Sequence, residues 1–221
     1  MEKITKNDFI EIEFTGRSSL NNEIFDTTNP EEAEKLGIKA ENIKPLIISV
    51  GNQMVLKGLD EQLEDKEINK EYFITLSPEK AFGLRNPSLI KTYSLNHFTK
   101  EKINPYPGMV LQLDNTIARV ISVSGGRVTI DFNNPLAGKS VIYRFKITRK
   151  INEDKEKINA LQDFFFRERF PFNIENIDKN PKKVIFKENI PLETLEFFKD
   201  KFREMTGFDF EVEKATKSEG K

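Results

Sequence analysis

Strict alternation at two distant places constrains this chain most. Residues 8–16, DFIEIEFTG, set Ile10, Ile12 and Phe14 on one face against Phe9, Glu11 and Glu13 on the other. Residues 140–149, SVIYRFKITR, alternate in the same way. Successive side chains of a strand point to opposite faces, so a period of two demands a sheet with one buried face. Shorter strands are expected at 23–28, at 45–50 before Gly51, and at 71–77 before Pro78. Helices are expected over 30–42, stopped by Gly37, and over 53–66, where Val55, Leu56, Leu59 and Leu63 share a side.

The middle of the chain reads as all-β. Strand-like runs lie at 89–95 and 109–113. Those at 117–123 and 127–132 flank Ser124-Gly125-Gly126, a hairpin signal. Asn96-His97-Phe98 reads as a loop carrying a surface histidine. Residues 86–134 hold five basic and three acidic side chains, which sets this stretch apart from a densely charged chain. After Lys150 the order reads α-β-α-β: a helix over 151–168, a strand over 183–187, a helix opened by Pro191, and a strand over 208–213. The second helix carries the stripe Leu192, Leu195, Phe198, Phe202 and Met205.

Composition removes most catalytic chemistry. Among 221 residues there is one histidine and no cysteine, so thiol nucleophiles, disulfides and thiolate or multi-histidine metal sites are excluded. A formal charge of -1 argues against a nucleic-acid partner. No apolar run is long enough to span a membrane, and the N-terminus lacks a signal-peptide core. A cytoplasmic protein is therefore expected. In contrast to this poverty, the chain has 19 phenylalanines.

Four fragments, in order, give the first reading of function: Phe14-Thr15-Gly16; Phe25-Asp26; Pro45-Leu46, Gly51 and Val55-Leu56-Lys57-Gly58-Leu59-Asp60; and Pro78 with Ala81-Phe82-Gly83. With Val141-Ile142-Tyr143-Arg144-Phe145 closing the set, they resemble the FK506-binding-protein (FKBP) family of peptidyl-prolyl cis-trans isomerases. Some 50 residues separate Gly83 from the closing strand and end in Asn134-Pro135-Leu136-Ala137-Gly138. This arrangement resembles SlyD-type members, which carry an insert-in-flap chaperone domain there. The C-terminal extension resembles the long archaeal FKBPs. The fold implied is α+β: an FKBP-like antiparallel sheet wrapped on a short helix (1–85 plus 135–150), an all-β insert (86–134), and a small α/β domain (151–221).

The resemblance implies a pocket of Phe14, Phe25, Asp26, Leu46, Val55, Leu56, Leu59, Phe82 and Tyr143. In it the Leu56 N–H holds a substrate carbonyl and Asp26 lies beside the twisting amide. Taken singly, each apolar residue also fits plain core packing, and Asp26 also fits a turn. Phe14 and Phe82 stand where many members have tyrosine, and Leu59 where many have tryptophan. The insert is expected to hold unfolded or partly folded proline-containing polypeptides, with Tyr93, Leu95, Phe98, Met109 and Leu111, and beside them Ile103, Val110 and Leu113, as candidate contacts, about half of which the insert needs for its own small core. No cofactor or metal is implied. The alternative is a non-enzymatic chaperone or assembly factor on the same scaffold. The run Phe164-Phe165-Phe166 and the pair Phe197-Phe198 exceed one helical stripe. They fit either a docking or homodimer face or a larger core of the C-terminal domain.

Overall fold

The computed structural model describes residues 3–113, 116–175, 181–187 and 192–213. In chain order the elements are β1 (Phe9–Ser18), β2 (Ile24–Thr27), α1 (Pro30–Glu34), β3 (Leu46–Ser49), α2 (Lys57–Asp60), β4 (Glu71–Leu76), β5 (Ile90–Ser94), α3 (Leu95–Lys100), β6 (Val110–Leu113), β7 (Thr116–Ser124), β8 (Arg127–Asp131), β9 (Val141–Lys150), α4 (Asp154–Phe165), β10 (Phe172–Glu175), β11 (Lys183–Phe186), α5 (Leu192–Thr206) and β12 (Asp209–Val212). They form two compact units, one of residues 1–17, 24–74 and 143–221, the other of 18–23 and 75–142.

The first unit is organised by the two alternating strands. A five-stranded sheet runs β2-β1-β9-β4, with β3 also pairing β1. Ten residues give β1 room for two partners on one edge: Phe9–Ile12 pair with β3 and Thr15–Arg17 with β2, both antiparallel. The expected faces form. Ile10, Ile12, Phe14, Tyr143, Phe145 and Ile147 are buried, each contributing about 1.5–3 kcal/mol of burial. On the opposite face Glu11 accepts the Thr148 hydroxyl at 2.7 Å and Glu13 pairs with Lys146 at 3.6 Å.

The helices of this unit are shorter than expected. In place of a helix over 53–66 there is one turn, α2. Gly51 and Gln53 both adopt positive φ, at 78° and 57°. The buried Asp60 carboxylate fixes that bend by accepting the Gly51 N–H at 2.8 Å and the Gln53 N–H at 2.7 Å. Val55 and Leu56 therefore precede the helix. Helix α1 is capped by Asn29, which accepts the Glu32 N–H at 3.0 Å, and is over by Glu34.

The second unit holds an antiparallel sheet of order β5-β8-β7-β6. Gly125 and Gly126, at φ 57° and 72°, make the hairpin between β7 and β8. An all-β insert was the expectation, and α3 corrects it. The Ser94 hydroxyl accepts the Asn96 N–H at 3.3 Å and starts a helix where a loop was expected. Leu95 and Phe98, three apart, then both reach the core. His97 is exposed on that helix.

Beyond Lys150 the order is α-β-β-α-β rather than α-β-α-β. The missed strand, β10, pairs antiparallel with β11, which pairs parallel with β12. It is only four residues long, and two of them are exposed. The aromatic excess forms a connected ring cluster in which Phe186, Phe202 and Phe210 are buried and Phe165, Phe166 and Phe198 half-buried, and Phe208 is buried as well. Phe165 lies 4.8 Å from Phe198 and 5.2 Å from Phe202, and Phe166 lies 5.6 Å from Phe202. Phe197 is the outlier at 79% exposure. Pro191 and the side chain of Leu192 lie outside the described residues. Polar contacts tie this region to β1: Arg149 bridges Glu11 and Glu156 at 2.9 Å each, and the Ile151 N–H donates to the Phe9 carbonyl at 2.7 Å.

Candidate active site

The β1–β2 pairing builds the site. Gly16 is opposite Asp26, and the register then slips so that Arg17 is opposite Ile24. Phe25 is the extra residue of a bulge, and a bulge re-aims side chains. Directly opposed residues of an antiparallel pair face the same way, so Phe14, Gly16 and Asp26 share a face. The Phe14 and Tyr143 rings are 5.8 Å apart and tilted, and the Phe25 and Tyr143 rings are 5.8 Å apart, edge to face.

Gly16 makes this cluster possible. A Cβ at that position would lie 2.7 and 2.9 Å from Phe25 ring carbons and 3.0 Å from a Tyr143 ring carbon. Behind it, hydroxyls fasten the strand pair. Thr28 Oγ1 accepts the Phe14 N–H at 2.8 Å, Thr27 Oγ1 donates to the Phe14 carbonyl at 3.1 Å, and the Thr15 and Thr27 hydroxyls bond at 2.9 Å. Gly16 and Thr15 stand in the fragment Phe14-Thr15-Gly16, but their part in the site, and that of Thr27 and Thr28, shows only in the fold.

Electrostatics mark Asp26 as unusual. It is exposed along one side, yet lost hydration raises its carboxyl above the ordinary aspartate range, offset only in part by the Thr27 N–H. Desolvation, and then the charge of Asp26, hold the Tyr143 hydroxyl protonated well above the ordinary tyrosine range. The unit thus presents a carboxylate with incomplete solvation beside three aromatic rings.

The other expected pocket residues divide. Leu59 is buried, whereas Leu46, Val55 and Leu56 are half-buried. Leu56 is the residue before α2, and its carbonyl accepts from Leu59 and Asp60. Among the described residues no acceptor takes its N–H. Phe82 belongs to the second unit, in a turn where the Gly83 N–H donates to the Pro78 carbonyl at 2.7 Å and the Gly138 N–H to the Gly83 carbonyl at 2.8 Å.

The insert-site candidates change more. Phe98 and Leu111 are each 6% exposed in the insert's own core, and Tyr93, Leu95 and Met109 pack against it. Packed this way, Tyr93 and Phe98 still line a hollow of about 420 Å³ together with Ile103, Leu113 and Phe132. Val110, one of the expected contacts, is exposed, and so are Ile117 and Ile121, at 57%, 66% and 41%. With the 133–139 loop they line a groove of about 570 Å³. Where the insert begins and ends, Arg85 grips Asp131 Oδ2 at 2.6 and 3.0 Å. Asn133 donates to Asp131 Oδ1 and exchanges bonds with the Asn86 backbone. Among the described residues no cluster of three or more histidine, aspartate or glutamate side chains is placed to hold a metal ion, and no helix is long and apolar enough to cross a membrane.

Known proteins resemble both units. The family model described as FKBP-type peptidyl-prolyl cis-trans isomerase matches residues 1–99, and that described as FKBP26, IF domain, matches residues 94–136. Over 146 residues, 65% of this chain and 92% of the relative, the chain is 29% identical to the short-type peptidyl-prolyl cis-trans isomerase of Methanocaldococcus jannaschii. It is 29% identical over 111 residues to the FKBP-type 16 kDa peptidyl-prolyl cis-trans isomerase of Escherichia coli, covering 48% of this chain and 74% of that one. To the FKBP-type peptidyl-prolyl cis-trans isomerase SlyD of Helicobacter pylori it is 28% identical over 119 residues, 51% of this chain and 63% of that one. The family match and the relatives together support an FKBP-type peptidyl-prolyl cis-trans isomerase that is SlyD-like.

Proposed function

We propose that the chain accelerates X-Pro isomerisation in unfolded or partly folded polypeptides and holds those clients on its insert. The observation that carries the catalytic half is the cluster of Phe14, Phe25 and Tyr143 around the under-solvated Asp26. Rotation about an X-Pro bond is opposed by amide resonance, with a barrier of about 18–20 kcal/mol. The twisted amide is less polar than the planar one. An apolar cradle therefore binds it better than water does, and preferential binding of the twisted state lowers the barrier. Neither nucleophile nor metal is required.

The residues then take roles. Phe14, Phe25, Leu46, Val55 and Tyr143 surround the proline ring, with Leu59 beneath. The Leu56 N–H donates to a substrate carbonyl, and Asp26 faces the nitrogen side of the rotating bond. On the second unit, Val110, Ile117 and Ile121 supply an apolar surface for clients. Tethering this surface and the pocket on one chain raises the effective concentration of a bound client's prolines.

Two assays separate the halves: isomerisation of an Ala-Leu-Pro-Phe-type peptide, and refolding of a protein limited by a proline. The double variant Val110→Ser/Ile117→Ser is expected to keep peptide turnover and to lose most refolding activity. Equal loss in both assays contradicts the division of labour.

A further inference from the structure

The insert groove has a charge pattern as well as an apolar floor. In the sheet register Val110 is opposite Arg119, Arg119 is opposite Asp131, and Asp131 is opposite Ile90. Arg119 therefore has a carboxylate as its cross-strand neighbour. That carboxylate is already committed: Asp131 Oδ2 takes Arg85, and Oδ1 takes two bonds from Asn133. Desolvation works to raise the Asp131 carboxyl, but these bonds outweigh it and hold it below the ordinary range, as expected of a saturated carboxylate. Among the described residues Arg119 has no ion-pair partner, and neither has Lys139 across the groove. Two cations without an ion-pair partner among the described residues thus border the exposed Val110 and Ile117.

We propose that this groove selects extended apolar client segments that carry a carboxylate beside the aliphatic residues, with Arg119 as the principal reader and Lys139 as the second. The proposal rests on the client-holding reading above and adds a chemical selectivity to it. Charge complementarity names the occupant. Aliphatic side chains cover Val110, Ile117 and Ile121, and an aspartate or glutamate of the same segment supplies the counter-charge that no described carboxylate gives Arg119. A basic residue at the same place meets like charge and is disfavoured.

Three fluorescein-labelled peptides share one Val-Ile-Leu core and differ only in a flanking Glu, Gln or Lys. Their affinity for the full chain is measured by anisotropy at low and high salt. The Glu peptide is expected to bind about two- to fivefold tighter than the Gln peptide, the effect of a solvated ion pair. The Lys peptide is expected to bind more weakly than the Gln peptide, and high salt should shrink both differences. Arg119→Gln should remove the preference for Glu while leaving Gln-peptide binding unchanged. Arg127→Gln, which removes the same charge from the hairpin end, should preserve it. Equal binding of the Glu and Gln peptides overturns the proposal alone. An equal loss of preference in both arginine variants also overturns it, because net charge and not the groove would then be read. Binding of none of the three peptides contradicts the client-groove reading itself.

Discussion

Gly16→Ala tests the pocket through the one backbone position on which its aromatic cluster depends. The added Cβ would sit 2.7 Å from the nearest Phe25 carbon and 3.0 Å from Tyr143. Comfortable carbon contacts begin near 3.5 Å, so the Phe25 ring must retreat by about 0.8 Å. Tyr143 is buried and cannot give way, whereas half-buried Phe25 can. Gly16 does not adopt positive φ, so alanine brings no backbone strain and the whole effect is steric. Overpacking costs about 1–3 kcal/mol, offset in part by the roughly 0.4–1 kcal/mol that alanine contributes by restricting the unfolded chain. Stability by urea denaturation should fall by about 1 kcal/mol. Displacement of a positioned group by about 1 Å costs up to about 100-fold in rate, so kcat/KM for the peptide should fall about 10- to 100-fold. Gly37→Ala is the control. It has φ 75° and open space around its Cβ, so it should lose stability through strain and keep its activity. Wild-type kcat/KM in Gly16→Ala, with a loss of stability like that of the control, would refute the cradle.

The raised Asp26 carboxyl makes a signed prediction about pH. A carboxyl raised in the folded state contributes stability that is present below its unfolded value and is lost as pH rises through its folded value. Relative to Asp26→Asn, the wild type should therefore lose Tm as pH climbs through the acid range, and a difference growing in the opposite direction contradicts the desolvated site. In the insert, Phe98→Ala should destabilise by about 3–5 kcal/mol, since it empties a core position. Ile117→Ser should change stability by no more than about 0.5 kcal/mol. Chemical denaturation of the two variants distinguishes a core side chain from a surface one, and the reverse ranking would return Phe98 to the client surface.

The long alternating strands were legible because burial of one face imposes a period that no other local structure has. The order of the pocket fragments was legible too, and the structure groups Phe14, Phe25, Asp26 and Tyr143. The rest failed for identifiable reasons. The helix over 53–66 shrank because the Asp60 carboxylate, seven to nine residues on, holds a bend at Gly51 and Gln53, a side-chain-to-backbone cause invisible in periodicity. Helix α3 was missed because its six residues are too short to show a period. β10 was missed because four residues with two exposed show no alternating run. The insert contacts were chosen for large apolar side chains. Several of those side chains are what a small unit needs for its core, as expected of about half of them; Val110 stays exposed, and Ile117 and Ile121, which were not among the candidates, are exposed beside it. The bulge at Phe25 has no sequence signature, although a glycine two residues after Phe14 is the trace of the close approach that it requires.

The central claim is that an aromatic cradle around Asp26 stabilises a twisted prolyl amide. Exchange NMR on an Ala-Leu-Pro-Phe-type peptide tests it most directly, because it reports interconversion at equilibrium without a coupling enzyme. Wild-type protein in catalytic amounts should raise the cis-trans exchange rate, and Tyr143→Ala, checked for an intact fold by circular dichroism, should lose at least about tenfold of that acceleration. An exchange rate unchanged by the wild-type protein, or an acceleration undiminished in a folded Tyr143→Ala, would contradict the account.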